Sequence, residues 1–143
     1  MSKMYCVNMI VCERMLVEQD GIGSLIRMLD VLQVAENLIA TASLMLTVFS
    51  MGRSKETGDD KHTLRLDLIR PDGEVTATGL TQDISLKPAL PGPGGFNFIA
   101  NVAFTPKQYG LHFFVLVYDG AEIGRVPLTV IEPIQSAPQQ SHR

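Results

Sequence analysis

Apolar and polar positions alternate with a period of two along most of this chain, most clearly from Phe96 to Phe104. Phe96, Phe98, Ala100, Val102 and Phe104 interleave with Asn97, Ile99, Asn101 and Ala103, the pattern of a half-buried strand. After a Pro/Gly turn (TPKQYG), Leu111 to Tyr118 is apolar on both faces apart from His112 and Tyr118, which suits the middle of a sheet. Asp119-Gly120 is a hairpin signal, and Val126, Leu128 and Val130 alternate on the returning strand. The stretch from Phe96 to Glu132 therefore reads as three consecutive strands joined by tight turns in one antiparallel sheet. Pro127 has no N–H to give, so the last strand should be an edge or carry a bulge.

The chain before Phe96 follows the same rule less cleanly. Tyr5, Val7, Met9 and Val11 alternate with Cys6, Asn8, Ile10 and Cys12; both sets are largely apolar, so an interior strand is expected. Residues 20–23 (DGIG) form a turn. From Ser24 to Val34 two readings compete. Leu25, Leu29, Leu32, Glu36 and Ile39 trace a helical stripe broken by a glutamate, whereas Ile26, Met28, Leu32 and Val34 share a strand face interrupted by Asp30. Periodicity leaves both open, and a strand hairpin from Cys6 to Val34 with some helix between Val34 and Ile39 is preferred. Thr41 to Met51 is a long strand with Ala42, Leu44, Leu46 and Val48 on one face. Residues 52–61 are polar and read as an exposed loop. Leu64, Leu66 and Leu68 then alternate with Thr63, Arg65 and Asp67, a strand with one wet face. Pro71-Asp72-Gly73 turns the chain, a short strand covers Glu74 to Thr78, and a further one covers Gln82 to Lys87 with Ile84 and Leu86 inward. Pro91 to Gly95 is a loop, and the residues from 135 onward are polar and suit a disordered tail.

Eight or nine strands with turn signals every eight to twelve residues, and no long helix, predict an all-β fold: a two-sheet antiparallel sandwich of the immunoglobulin-like kind. The expected organisation is a single domain over 1–134 and a tail over 135–143. A chain of 143 residues can bury a core of that size without disulfides or metal.

Charge narrows the function classes. Fifteen acids and 12 bases give a net charge of −3, with the bases scattered singly, so nucleic acid is not an expected partner. No stretch approaches 18 uninterrupted apolar residues, and no membrane association is expected. Cys6 and Cys12 would lie roughly 20 Å apart along one strand, beyond disulfide reach. They read as small buried hydrophobes in a reducing compartment; with no secretory leader in the opening residues, the expected location is cytoplasmic.

Little in the chain carries chemistry by pattern. There is no Cys-x-x-Cys, His-x-His, His-Glu-x-x-His or Gly-x-Ser-x-Gly spacing, so neither a catalytic set nor a cofactor is expected. His112 sits on the Phe114/Leu116 face of a central strand and Asp30 is a charge inside an apolar run; these are the two polar residues with a possible functional role. For Asp30 the plain explanation is a turn acceptor or a partner for Arg27. The turn residues Asp59, Asp60, Asp72 and Asp119 would suit Ca²⁺ if they met at one end of the sandwich, although each is also a typical turn former.

Two stretches carry a resemblance. One is GSLIRMLDVLQV followed by TASLMLTVF, a polar loop and HTLRLDLIRPDGEV; the other is AFTPKQYGLHFFVLVYDGAEIGRVPLTV. Over nearly the whole chain this resembles a group of small bacterial proteins catalogued as a domain of unknown function, with Leu29-Asp30 closing the opening hairpin, a mid-chain Asp-Gly turn and a closing Gly-aromatic strand. The resemblance implies the sandwich and no particular activity. In that group's closing pattern an aromatic follows the glycine; here Tyr109 precedes Gly110, which bears on whether Tyr109 is a tyrosine corner. The function expected from all of this is a non-enzymatic binding or scaffolding module with a protein partner or a second copy of itself. The alternative is a sandwich binding a small molecule or Ca²⁺ through its end-loop aspartates.

Overall fold

The computed structural model describes residues 4–17, 23–54, 60–86 and 94–134. Among these are nine strands: β1 (Met4–Val17), β2 (Gly23–Met28), β3 (Val31–Gln33), β4 (Leu44–Ser54), β5 (Lys61–Ile69), β6 (Val75–Ser85), β7 (Gly94–Phe104), β8 (Gly110–Tyr118) and β9 (Ala121–Ile131). One 3-10 turn, Glu36–Leu38, lies between β3 and β4. The strands form a four-stranded sheet in the order β2-β1-β4-β7 and a five-stranded sheet in the order β3-β9-β8-β5-β6. The expected turn residues 20–22, loop residues 55–59 and 91–93, and the tail 135–143 lie outside the described residues.

The path between the sheets defines the fold class. After β2 pairs antiparallel with β1, the chain leaves that sheet at Leu29-Asp30, and β3 joins the other sheet parallel to the last strand, β9. It then crosses from β4 to β5, returns from β6 to β7 and crosses again to β8. An edge strand divided between two sheets, followed by this alternation, is the immunoglobulin-like sandwich. Two hydrogen bonds hold the switch: the Leu29 N–H donates to the Val11 carbonyl on one sheet (2.7 Å), and the Thr129 N–H donates to the Asp30 carbonyl on the other (2.9 Å). The hairpin reading of the 24–34 stretch is therefore right as far as Met28, and the helical content of 34–39 is the single 3-10 turn.

The core lies where the inward faces meet. From Phe96 to Phe104 the five inward positions of β7 are buried, and the four between them are exposed. Phe98, Val102 and Phe104 from the four-stranded sheet face the layer made by Leu64, Leu66, Phe114 and Leu116, which are all at most 4% exposed. Phe104 meets Phe114 edge-on at 6.0 Å between ring centroids. Full burial of each such side chain stabilises the fold by about 1.5–3 kcal/mol.

Several expectations need correction. β7, β8 and β9 do not form one sheet, because β7 pairs with β4 while β8 and β9 belong to the other layer. The five-residue link after Phe104 is a crossing between layers: its Thr105 carbonyl accepts from Arg70 Nη1 (3.2 Å), and its Pro106 carbonyl accepts from the Ala40 N–H (2.6 Å). Tyr109 donates its hydroxyl to the Val34 carbonyl at 2.8 Å, so it fastens the crossing to a distant segment instead of making a local tyrosine corner. The two strands expected over 74–87 are one strand, β6. Thr78 donates to the Leu66 carbonyl and Gly79 takes φ +81° where the register shifts by a bulge, and that phase change divides the pattern in the sequence. Residues 52–54 continue β4 rather than opening a loop, and Gly94 and Gly95 pair with Ser54 and Arg53. Asp67, expected on a wet face, is only 7% exposed because Arg65 folds over it with three contacts of 3.1 Å. Pro127 lies just beyond the reach of β3, which pairs with β9 only over Thr129–Ile131, so the edge expectation holds locally.

The alternation on β7 has a direct test. Phe104→Ala should lower the unfolding free energy by about 3–5 kcal/mol in urea titrations, whereas Asn97→Ala should stay within about 0.5 kcal/mol. Similar losses for both would contradict the assigned faces.

Candidate protein-contact face

The polar residues singled out from the sequence do not assemble into a reaction centre. Asp30 is exposed at the switch between sheets, and its carboxylate has no partner among the described residues. Arg27, its expected partner, instead pairs with Glu13 at 3.1 Å. Asp30 also rims a shallow apolar opening of about 370 Å³ between β1 and β9, with Met9, Val11, Met28 and Val126 in its walls. His112 is fully buried. Its Nδ1 lies 3.0 Å from the Gly110 carbonyl, its ring stands edge-on to Phe104 at 5.4 Å, and its Nε2 has no hydrogen-bond partner among the described residues. Its burial and its packing on Phe104 place it in the core.

Of the described aspartates, Asp60 precedes β5 at the end of the sheet where Asp119 lies, and Asp72 is at the other. Asp72 follows β5 and Asp119 follows β8, and the antiparallel pairing of those strands, Ile69 with Phe113 and Leu64 with Tyr118, sends the two turns to opposite ends of the sheet. Asp72 accepts from the Glu74 N–H (2.9 Å) and from Gln108 (3.3 Å), which hold its carboxyl below the usual range. Asp119 accepts from the Thr63 N–H at 2.9 Å and meets His62 Nδ1 at 2.6 Å; the His62 contact is the larger cause of its lowered pKa. Asp60 is exposed, and Asp59 lies outside the described residues. Among the described residues no group of three His, Cys, Asp or Glu side chains is placed to hold a metal ion. The His62–Asp119 pair, with His62 stacked on Tyr118 at 5.1 Å, was not evident from the sequence, since 57 residues separate the partners. Cys6 and Cys12 are both free thiols, and burial pushes both thiol pKa values up, away from the reactive thiolate.

The outer faces of the two sheets differ in chemistry. The five-stranded sheet carries charge pairs over its middle and leaves Val31, Val75 and Leu111 exposed toward one end. Besides Arg65–Asp67, Arg125 makes two 2.7 Å contacts with Glu122 and sets its guanidinium 5.0 Å above the Phe113 ring. The four-stranded sheet has no equivalent over its middle. Register places Asn8, Met51 and Asn97 in one row across it, Ile10, Phe49 and Ile99 in the next, and Cys12, Thr47 and Asn101 in the third, with Met28 beyond Cys12. None of these residues is an acid or a base.

Apolar side chains stand exposed on and around those rows: Met28 (69%), Met45 (63%), Tyr5 (53%), Val7 (50%) and Ile99 (40%). Summed over the five residues, on the order of 500 Å² of surface is open, comparable to the largest apolar patch of a typical monomer, which is often functional. The short Cys12 and Thr47 side chains sink below their neighbours and are buried, with Thr47 donating to Asn101 Oδ1 at 2.9 Å. A ridge (Ile10, Phe49, Ile99) thus lies beside a furrow (Cys12, Thr47) that exposed Asn101 bounds on β7. The sequence carried a signal for this face, because both strand faces of 5–12 and 44–51 are apolar and a sandwich buries one of them.

No family model matches the chain, and no curated protein matches it. Solved structures do match it, at low identity. The chain is similar to part of an alkylpurine DNA glycosylase, AlkC, from Pseudomonas fluorescens bound to DNA containing an abasic site analog, at 9% identity and TM-score 0.46, over 90% of this chain and 30% of that one. It is also similar to an immunoglobulin-like protein from Pseudomonas aeruginosa, at 12% identity and TM-score 0.39, over 91% of this chain and 98% of that one. The chain spans less than a third of the glycosylase's length.

Buried His112 makes the stability of the fold depend on pH. Burial lowers the imidazole pKa below its ordinary value, with the Gly110 hydrogen bond opposing, so the folded protein holds His112 neutral. As pH falls below about 6.5 the unfolded chain takes up the proton first and the folded state loses stability until pH passes the folded pKa. The urea midpoint should therefore drop between about pH 7 and 5, and His112→Leu should reduce that drop whatever its effect on the midpoint at pH 7. Equal pH slopes in the two proteins would remove His112 as the titrating group.

Proposed function

We propose that this chain is a non-enzymatic protein-binding or scaffolding module, acting in the cytoplasm, whose contact surface is the outer face of its four-stranded sheet. One observation carries the reading: apolar side chains stay exposed on that face, with no acid or base across its three central rows. An apolar surface left open costs solubility, and the opposite sheet carries charge pairs over its middle where this one has none. Two free thiols fit a reducing compartment. Among the described residues no helix is long and apolar enough to cross a membrane. Kinship with the uncharacterised bacterial group that the sequence resembles belongs to the same reading.

A photo-crosslinking amino acid placed at Met45, on this face, and separately at Thr81, on the charged side, tests it in the cells that make the protein. The Met45 version should give discrete protein adducts on irradiation and the Thr81 version should not. Indistinguishable yields from the two positions would overturn the reading.

A further inference from the structure

From the same face, and resting on the reading above, we infer that the occupant is a second copy of this chain, packed face to face through the four-stranded sheets about a two-fold axis. Area supports it. Four strands spaced about 4.8 Å apart, with roughly ten residues each at about 3.3 Å rise, present on the order of 600–700 Å². Two such faces would bury about 1,200–1,400 Å² in all, within the range of stable specific interfaces.

Shape supports it as well. Sheets pack about 10 Å apart when large side chains on one enter hollows on the other. The Ile10–Phe49–Ile99 ridge runs beside the Cys12–Thr47 furrow at the next register step, with exposed Asn101 at the furrow's β7 end. Cys12 and Thr47 are buried below the surrounding side chains. A two-fold rotation lays the ridge of each copy along the furrow of the other, which is the self-complementarity that an isologous contact requires.

Charge does not oppose the pairing. A surface matched to a different protein often selects it through complementary charge, and like charges facing each other reject the wrong partner. The three central rows hold neither acids nor bases, so two copies meet without repulsion. The nearest bases, Arg14 and Arg53, lie on β1 and β4 at the margins of these rows. Asn8, Asn97 and Asn101 carry both donors and acceptors and so can pair with their own symmetry mates.

The test is sedimentation or light scattering on the purified full chain. A dimer of twice 15.7 kDa with a Kd in about the micromolar range or below is expected. Ile99→Lys should weaken it at least about a hundredfold, because each substitution enters an isologous contact twice. Met45→Lys, at a more exposed position on an interior strand, provides the same test if the first variant folds poorly, and Thr81→Lys should leave the dimer unchanged. Because Met45 is not on the sheet's edge, its effect also separates face packing from edge-to-edge pairing of β7. A protein that stays monomeric at about 100 µM, or a dimer unaffected by both lysine substitutions, overturns the inference. Crosslinks from Met45 to a different protein in cells, together with a monomer in solution, would refute self-association and leave the binding-module reading intact.

Discussion

The structure depends on the mutual burial of two inward sheet faces without a disulfide or a tryptophan between them. Both cysteines sit in β1 and remain thiols, so no covalent tie spans the sandwich. Phe104, Phe114, Leu64, Leu66 and Leu116, each at most 1% exposed, fill the space between the layers, and close packing of such residues sets the tolerance for any change there. A few backbone-directed hydrogen bonds close the margins: Tyr109 to the Val34 carbonyl, Arg70 to Thr105, and the pair of amide bonds that hold the chain where it passes from β2 to β3. Each contributes about 1 kcal/mol. Hydrophobic burial brings the layers together, and these bonds select the connection that is made.

The same alternation produces the outer faces, and there the two sheets part company. On the five-stranded sheet, Arg65 and Arg125 lie across their carboxylate partners and, for Arg125, across an aromatic ring. The exposed Arg125–Glu122 pair adds little stability, but both pairs cover apolar surface with charge. On the four-stranded sheet, methionine, isoleucine, phenylalanine and asparagine take those places. A difference confined to one face of one layer belongs to recognition more readily than to folding, since the core behind it is complete without it. Methionine adapts its shape at low cost, and Met28 and Met45, the most exposed side chains around the central rows, fit that use.

Much of the fold was legible because side-chain direction on a strand is a local property. The inward set of β7, the central position of β8, the Asp119-Gly120 hairpin and the leucines of β5 follow from period-two alternation and turn chemistry alone. Legibility failed where one extra residue breaks the period. The bulge at Thr78-Gly79 made a single strand look like two, and the bulge between Cys6 and Asn8 put Met4 and Cys6 in phase with Met9 and Val11, which the unbroken alternation would place on opposite faces. The candidate aspartates failed for a different reason. Turn-forming aspartates look alike in sequence, and only strand pairing shows that Asp72 and Asp119 lie at opposite ends.

The sequence by itself determined the all-β class, the core-facing residues of most strands, a chain without spaced metal or nucleophile motifs, and two cysteines too far apart to bridge. Each depends on neighbours a few residues away, where backbone geometry links spacing to direction. Tertiary structure alone decided which sheet each strand joins, that β7 and β8 lie in different layers, that His62 meets Asp119, and that Asp67 is buried under Arg65. It also decided which of two apolar faces on β1 and β4 enters the core and which remains open. Those outcomes depend on contacts between segments tens of residues apart, and a strand apolar on both sides carries no local mark of which side its partner sheet will cover.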